Sequence, residues 1–121
     1  MILCFGTFTD AEANALDFAN YYDEFQYNIT TTTTYEGVKY TFVFNPDKKV
    51  CLIEKAEVDN SDVIIKLPSS ATRLENGVKV KYTVVGIGDK VFFDCSSIQE
   101  VYTPPTITFI GTSAFESCTN L

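Results

Sequence analysis

Apolar and polar residues change their rhythm three times along this chain. From Thr9 to Tyr22 the residues Ala11, Ala15, Phe18, Ala19 and Tyr22 recur at the spacing of one helix face, and Thr9 with Glu12 makes a capping box, so a helix is predicted there. That face is mostly alanine and its flanks are acidic, which suits packing better than docking a partner. The tract Ile29-Thr30-Thr31-Thr32-Thr33-Thr34 breaks the pattern. Threonine is compatible with a linker or with the lead-in to a strand, and the tract is taken as a boundary, with residues 1–34 as an N-terminal helix and threonine-rich linker.

Beyond the tract the rhythm shortens to alternation. Val38 to Phe44 and Val50 to Glu57 read as two strands joined by Asn45-Pro46-Asp47-Lys48, whose residues supply the chemistry of a tight turn. Val63 to Leu67 is a further strand, stopped by Pro68, which has no amide hydrogen for a ladder. Thr72 to Glu75 and Val78 to Val84 flank Asn76-Gly77, a strong hairpin signal because both central positions of a type I′ turn need positive φ. Residues 35–86 thus form a β-rich unit with hairpins.

The third rhythm is a repeat. Ile87 to Ile98 reads IGDKVFFDCSSI, and 23 residues later Ile110 to Leu121 reads IGTSAFESCTNL, with identity at Ile87/Ile110, Gly88/Gly111, Phe92/Phe115 and Cys95/Cys118. A period of this length marks units that bury their apolar faces only against their neighbours. Ile98, Val101, Ile107, Ile110, Ala114, Phe115 and Cys118 are predicted to point inward, and Gly88 and Gly111 to stand at tight corners where a Cβ would obstruct. Ile65-Lys66-Leu67-Pro68 resembles Val101-Tyr102-Thr103-Pro104, and each leads to an Ile-Gly pair, after nineteen residues in the first case and six in the second. The excess of thirteen is about one hairpin, so the earlier segment is read as a degenerate repeat with the Asn76-Gly77 hairpin inserted. Alignment on the prolines places Lys66 beside Tyr102 and Ile64 beside Glu100 on one outward sheet surface. Ile64, Lys66, Gln99, Glu100 and Tyr102 are therefore the candidate partner contacts.

Charge and composition narrow the function classes. Sixteen acidic against nine basic residues give a net charge of −7, which argues against nucleic acid and anionic lipid as partners. No apolar run reaches transmembrane length, so no membrane insertion is expected within this chain. Cys4, Cys51, Cys95 and Cys118 lack close pairing, and two of them hold equivalent repeat positions, which favours buried free thiols over disulfides. The chain has no histidine, so the commonest general base and neutral metal ligand are missing, and neither metal nor cofactor is expected. Asp59-Asn60-Ser61-Asp62 lacks the length and terminal glutamate of a calcium loop and reads as an Asx-rich turn. Glu54 and Glu57 read as a solvated strand edge, and Gly86-Ile87-Gly88 lacks the rest of a phosphate-binding motif. No catalytic residue is assigned; an enzyme reading would require turnover that fails when Asp59 or Asp62 is neutralised.

The first residues, MILCFGTF, have no preceding basic residue, and Asp10 and Glu12 crowd the small-residue stretch behind them, so they make a poor signal peptide. Asn28-Ile29-Thr30 is a glycosylation sequon, which matters only in the secretory pathway.

Thr103 to Leu121, TPPTITFIGTSAFESCTNL, resembles the BspA-like leucine-rich repeat, with Ile107, Thr108, Ile110, Gly111, Ala114, Phe115, Cys118 and Leu121 where that pattern expects them. Tyr82 to Pro105 also matches, with Val91 in place of the usual alanine, and Tyr35 to the Asn76-Gly77 hairpin looks like the β-rich cap that precedes such repeats. Thr103 departs from the pattern with a hydroxyl where an apolar residue is usual, which predicts weaker packing there. Residues 1–34 lie outside the resemblance, which implies a cap leading into a right-handed solenoid of parallel strands over 87–121; with the helix predicted over Thr9 to Tyr22, the expected fold is mainly β, α+β at its N-terminus. The resemblance also implies a non-enzymatic surface antigen or adhesion module that binds proteins or cell-surface ligands, at the cell surface or secreted; an intracellular repeat scaffold using the same face is the alternative. Leu121 falls mid-repeat, so the expectation is either a longer repeat protein or self-association through that end.

Overall fold

The structure, a computed structural model, describes residues 2–4 and 24–121, with backbone only at 2–4, 28 and 29. The helix predicted over Thr9 to Tyr22 lies outside the described residues, as does the Cys4 side chain. The described residues form nine strands: β1 (Ile2–Cys4), β2 (Gln26–Tyr35), β3 (Val38–Asn45), β4 (Val50–Glu57), β5 (Ile64–Lys66), β6 (Ser70–Glu75), β7 (Val78–Ile87), β8 (Glu100–Thr103) and β9 (Phe109–Ile110). They make two sheets, one in the order β1-β8-β5 and one in the order β2-β3-β4-β7-β6, with β9 beside β7.

Alternation sets the larger sheet. Val38, Tyr40, Phe42 and Phe44 turn into the core while Lys39 is exposed, as the two-residue period of a strand requires. Both predicted hairpins are present. Asn45 accepts the Lys48 amide on its side-chain oxygen at 3.1 Å, and the β3–β4 ladder runs from Lys39↔Glu57 to Asn45↔Val50. Asn76 and Gly77 have φ of 51° and 79° between paired β6 and β7. A bulge falls where Thr41 faces Lys55 but Phe42 faces Ile53, so Glu54 is the extra residue and is exposed; Glu57 lies 4.0 Å from Lys39. The two glutamates are solvated, as their strand-edge reading expected.

Of the two readings of the threonine tract, the linker is not what forms. Thr30 to Thr34 pair one by one with Val43 to Lys39, and Glu36 and Gly37, with φ of 49° and 81°, close a further hairpin onto β3. Threonine is β-branched and fits an edge strand as well as a loop, so the sheet begins at Gln26 instead of after residue 34.

The repeat is built as a stack. The backbone amides of Lys90, Phe92 and Asp94 donate to the carbonyls of Thr112, Ala114 and Glu116 at 3.1, 2.8 and 2.8 Å, and Thr108 and Gly111 donate back to Val85 and Ile87. Strand β7 pairs in parallel with β9 through Ile87↔Ile110, partners 23 residues apart, while β5 pairs with β8 through Ile64↔Glu100, partners 36 apart. The surplus of thirteen is the inserted hairpin. Lys90 and Asp94, and again Ser113 and Ser117, adopt positive φ at equivalent places, which turns the chain twice in each repeat.

One core runs from the sheet into the repeats, joining Tyr40, Phe42 and Tyr82 to Phe92, Ile98, Val101 and Ala114. The other face of the sheet carries a smaller cluster of Phe25, Val43, Leu52 and Phe109. Of the residues predicted inward, Ile98, Val101, Ile107, Ala114 and Cys118 are buried, and Ile110 and Phe115 are half-buried. Cys51 and Cys118 are buried free thiols and Cys95 is half-buried; the Cys118 thiol donates to the Phe92 carbonyl at 2.9 Å.

Burial pushes the Cys51 thiol from 9.0 up to about 12, and burial, then the charges of Asp62 and Tyr35, hold the Tyr40 phenol above its ordinary value. Such groups keep their protons longer folded than unfolded. Their stabilisation is whole below the unfolded pKa and is lost as pH rises towards the folded one. The urea midpoint is accordingly expected to decline between pH 9 and about 12, less steeply in Cys51→Ala; a midpoint level across that interval would refute this assignment.

Candidate binding face

Strands β5 and β8 are short, and both are held from beneath. Leu67 donates its amide to the Tyr102 carbonyl at 3.0 Å, Gln99 and Glu100 donate to the Val63 carbonyl, and the Tyr40 hydroxyl donates to the Lys66 carbonyl from β3. The register is Ile64↔Glu100, Ile65↔Val101 and Lys66↔Tyr102, the neighbours that proline alignment predicted. Because side chains alternate, Ile65 and Val101 are buried while Ile64, Lys66, Glu100 and Tyr102 face outward. Ile64 keeps 52% of its surface exposed, a cost in water that an occupied face would remove.

Three of the outward residues, Ile64, Lys66 and Tyr102, border a groove of about 620 Å³, and the predicted contact Glu100 does not line it. Leu67 and Ser69 extend it past the end of β5, Pro104 and Pro105 form its far rim, and Tyr35 reaches it from the end of β2. Among the described residues of that lining, Lys66 is the one that carries a charge. The Tyr102 hydroxyl donates to Glu100 Oε2 at 3.0 Å, which fixes the ring along the strand; the carboxylate holds the phenol above its ordinary pKa, so Tyr102 stays neutral. Gln99 is exposed just before β8, outside the lining. Asn28 lies on β2, and its side chain is outside the described residues.

The Asp59 and Asp62 carboxylates bond within their own loop, while the Asp59 carbonyl accepts the Ser97 hydroxyl at 3.2 Å. Asp59 accepts the Ser61 hydroxyl and amide at 2.5 and 2.7 Å, which lowers its pKa, and Asp62 accepts the Asp59 amide at 2.9 Å. Among the described residues no group of three metal-ligating side chains converges, and no helix is long and apolar enough to cross a membrane. Among its described residues the face offers rings, aliphatic surface and the Lys66 ammonium.

Part of this chain matches a known family. The model described as a BspA type Leucine rich repeat region (6 copies) matches residues 69–121, the stretch that holds the β6–β7 hairpin and the stacked segments. Residues 69–121 carry the pattern of BspA-type leucine-rich repeats.

A solved structure similar to this chain is that of a leucine rich cell surface protein from Faecalibacterium prausnitzii A2-165, with a TM-score of 0.60 and 30% identity over 75% of this chain. The chain spans 22% of the length of that protein. No curated protein matches the sequence. In this BspA-like region Phe92 and Phe115 occupy equivalent places and stack with centroids 5.2 Å apart and planes within 4°. Thr103, expected to pack weakly as a departure from the repeat pattern, is nonetheless 1% exposed. The contacts of Tyr35, Leu67, Ser69, Pro104 and Pro105 were missed. Pro104 and Pro105 carried a signal only as strand terminators, and Tyr35 is far from β5 in sequence.

Proposed function

We propose that the chain is a non-enzymatic protein-recognition or adhesion module whose contact surface is the outer face of β5 and β8 with the adjoining groove. In this reading residues 35–86 act as the cap and 87–121 as the first turns of a right-handed solenoid. The observation that carries it is the joint placement of exposed Ile64 and Lys66 and half-buried Tyr102 on one groove with two further apolar walls. Proline and tyrosine surfaces offer contact area that loses little conformational entropy on binding, and Lys66 suits an acidic side chain in the partner. A specific interface covers about 800 Å² per partner, so a partner anchored in the groove extends beyond it over the neighbouring surface. The likeness to a cell surface protein supports display at the cell surface, with proteins or other surface ligands as partners.

The test is an array of extended peptides probed with the wild-type chain, Tyr102→Ala and Leu74→Ser, the last altering an exposed residue outside the groove. Aromatic anchors at interface centres contribute about 2 kcal/mol or more, so Tyr102→Ala is expected to weaken the selected peptides at least about tenfold and Leu74→Ser less than about twofold. Peptides held equally by wild type and Tyr102→Ala would place recognition elsewhere.

A further inference from the structure

Strand β8 has partners on both sides, and only one belongs to the repeat. In a parallel ladder the amide and carbonyl of one residue point to the same side, and the next residue points to the other. Glu100 and Tyr102 bond towards β5, through the Glu100 amide to Val63 and the Tyr102 carbonyl to Leu67. Val101 and Thr103 therefore present their backbone groups to the opposite edge. There β1 runs parallel, with Ile2↔Val101, Leu3↔Tyr102 and Cys4↔Thr103.

This pairing repeats that of β5. Val101 faces Ile2 on one side and Ile65 on the other, and Tyr102 faces Leu3 and Lys66. The stack advances from β5 to β8, so the place beyond β8 is the one that the strand of a following repeat would take. A segment from the opposite end of the sequence fills it. Its residues Ile-Leu-Cys follow Ile-Lys-Leu and Val-Tyr-Thr in starting with a β-branched apolar residue at the Val101 register.

We propose that the outer edge of β8 is a strand-docking site and that Ile2–Cys4 is its built-in occupant, a strap that an extended segment carrying the repeat's own strand sequence displaces. An open strand edge templates pairing with other chains, and covering it is a recognised defence. Three residues of ladder, offset by the entropy of ordering them, make a weak cover that a longer strand outcompetes. Such a strand gains main-chain hydrogen bonds from the edge and selectivity from alternate side chains.

The experiment uses the full 121-residue chain and its Leu3→Pro variant, because proline removes the central amide of the strap and does not sit inside a ladder. Amide exchange at Val101 and Thr103 is expected to accelerate at least tenfold in the variant. Exchange at Glu100 and Leu67, bonded within the β5–β8 pair, should stay within twofold and shows that the fold is intact. A fluorescent peptide of sequence EVYTPP, copied from Glu100 to Pro105, should bind Leu3→Pro at least tenfold more tightly than wild type by anisotropy. Unchanged protection of Val101 and Thr103 would remove β1 from the edge. Exposed amides with no peptide binding would overturn the docking site, and wild-type protection that falls on dilution would assign the strap to a second copy. None of these outcomes depends on the groove, so they leave the recognition reading separately testable.

Discussion

Phe92→Ala is expected to lower the unfolding free energy by about 3–5 kcal/mol, the usual cost of emptying a buried phenylalanine site. Phe92 is 0% exposed and its ring stacks on Phe115. Its amide donates to Ala114 at 2.8 Å and its carbonyl receives the Cys118 thiol. The side chain thus fills the space between two repeats whose backbones are bonded around it, and neighbours restrained on all sides cannot collapse into the void. Since domains are stable by about 5–15 kcal/mol, the loss takes a large share of the whole. Phe93→Ala is the control: this neighbour is 45% exposed, with Lys90 above its ring, and its removal should cost about 1 kcal/mol or less. Urea unfolding of the two variants checks the contrast, and equal midpoints would show that Phe92 is not a keystone of the stack.

Gly111→Ala should cost about 1–3 kcal/mol, by the mechanism of an overpacked core. A Cβ at Gly111 would stand 2.6 Å from the Asp89 amide nitrogen and from the Gly88 carbonyl carbon, both backbone atoms of the repeat beneath. Those atoms are held by the inter-repeat bonds, including Gly111 to Ile87 at 2.7 Å and Thr112 to the Asp89 carboxylate at 2.7 Å. Relief requires the two repeats to part. At Gly88 the nearest atom to an added Cβ is the Ile53 carbonyl oxygen at 3.1 Å, which a shift of a few tenths of an ångström accommodates. Gly88→Ala should therefore cost less than Gly111→Ala in thermal unfolding, although the two occupy equivalent places in the sequence repeat. The reverse order would mean that the stack yields more easily than the β4 backbone.

The repeat made the register of the candidate face readable from the sequence alone. Pro68 and Pro104 end their strands for the same chemical reason, so aligning them sufficed to pair Ile64 with Glu100 and Lys66 with Tyr102. Local turn chemistry was equally plain at Asn76-Gly77. The threonine tract was not, because threonine carries no preference strong enough to decide between an edge strand and a linker until Val38 to Val43 is present to pair with it. Lys90, Asp94, Ser113 and Ser117 gave no sign of positive φ, since the usual marker, glycine, is absent from all four. Gly86 was read only as a fragment of a phosphate motif, yet an added Cβ would lie 2.1 Å from the Phe109 ring, a proximity created by β7 meeting β9. Tyr35 joined the groove, and Ile2–Cys4 joined β8, through contacts between distant parts of the chain that no local pattern encodes.

The thirteen-residue excursion between Pro68 and Ile87 leaves the phase of the stack unchanged: β5 still meets β8, and β7 still meets β9. Its tip, between Leu74 and Val78, is exposed and lies outside the groove lining. Exposed loop tips of this kind tolerate insertion best. For protein engineering, Asn76-Gly77 is therefore a port where a tag or a foreign epitope can be displayed while the β5–β8 face and its groove stay in place.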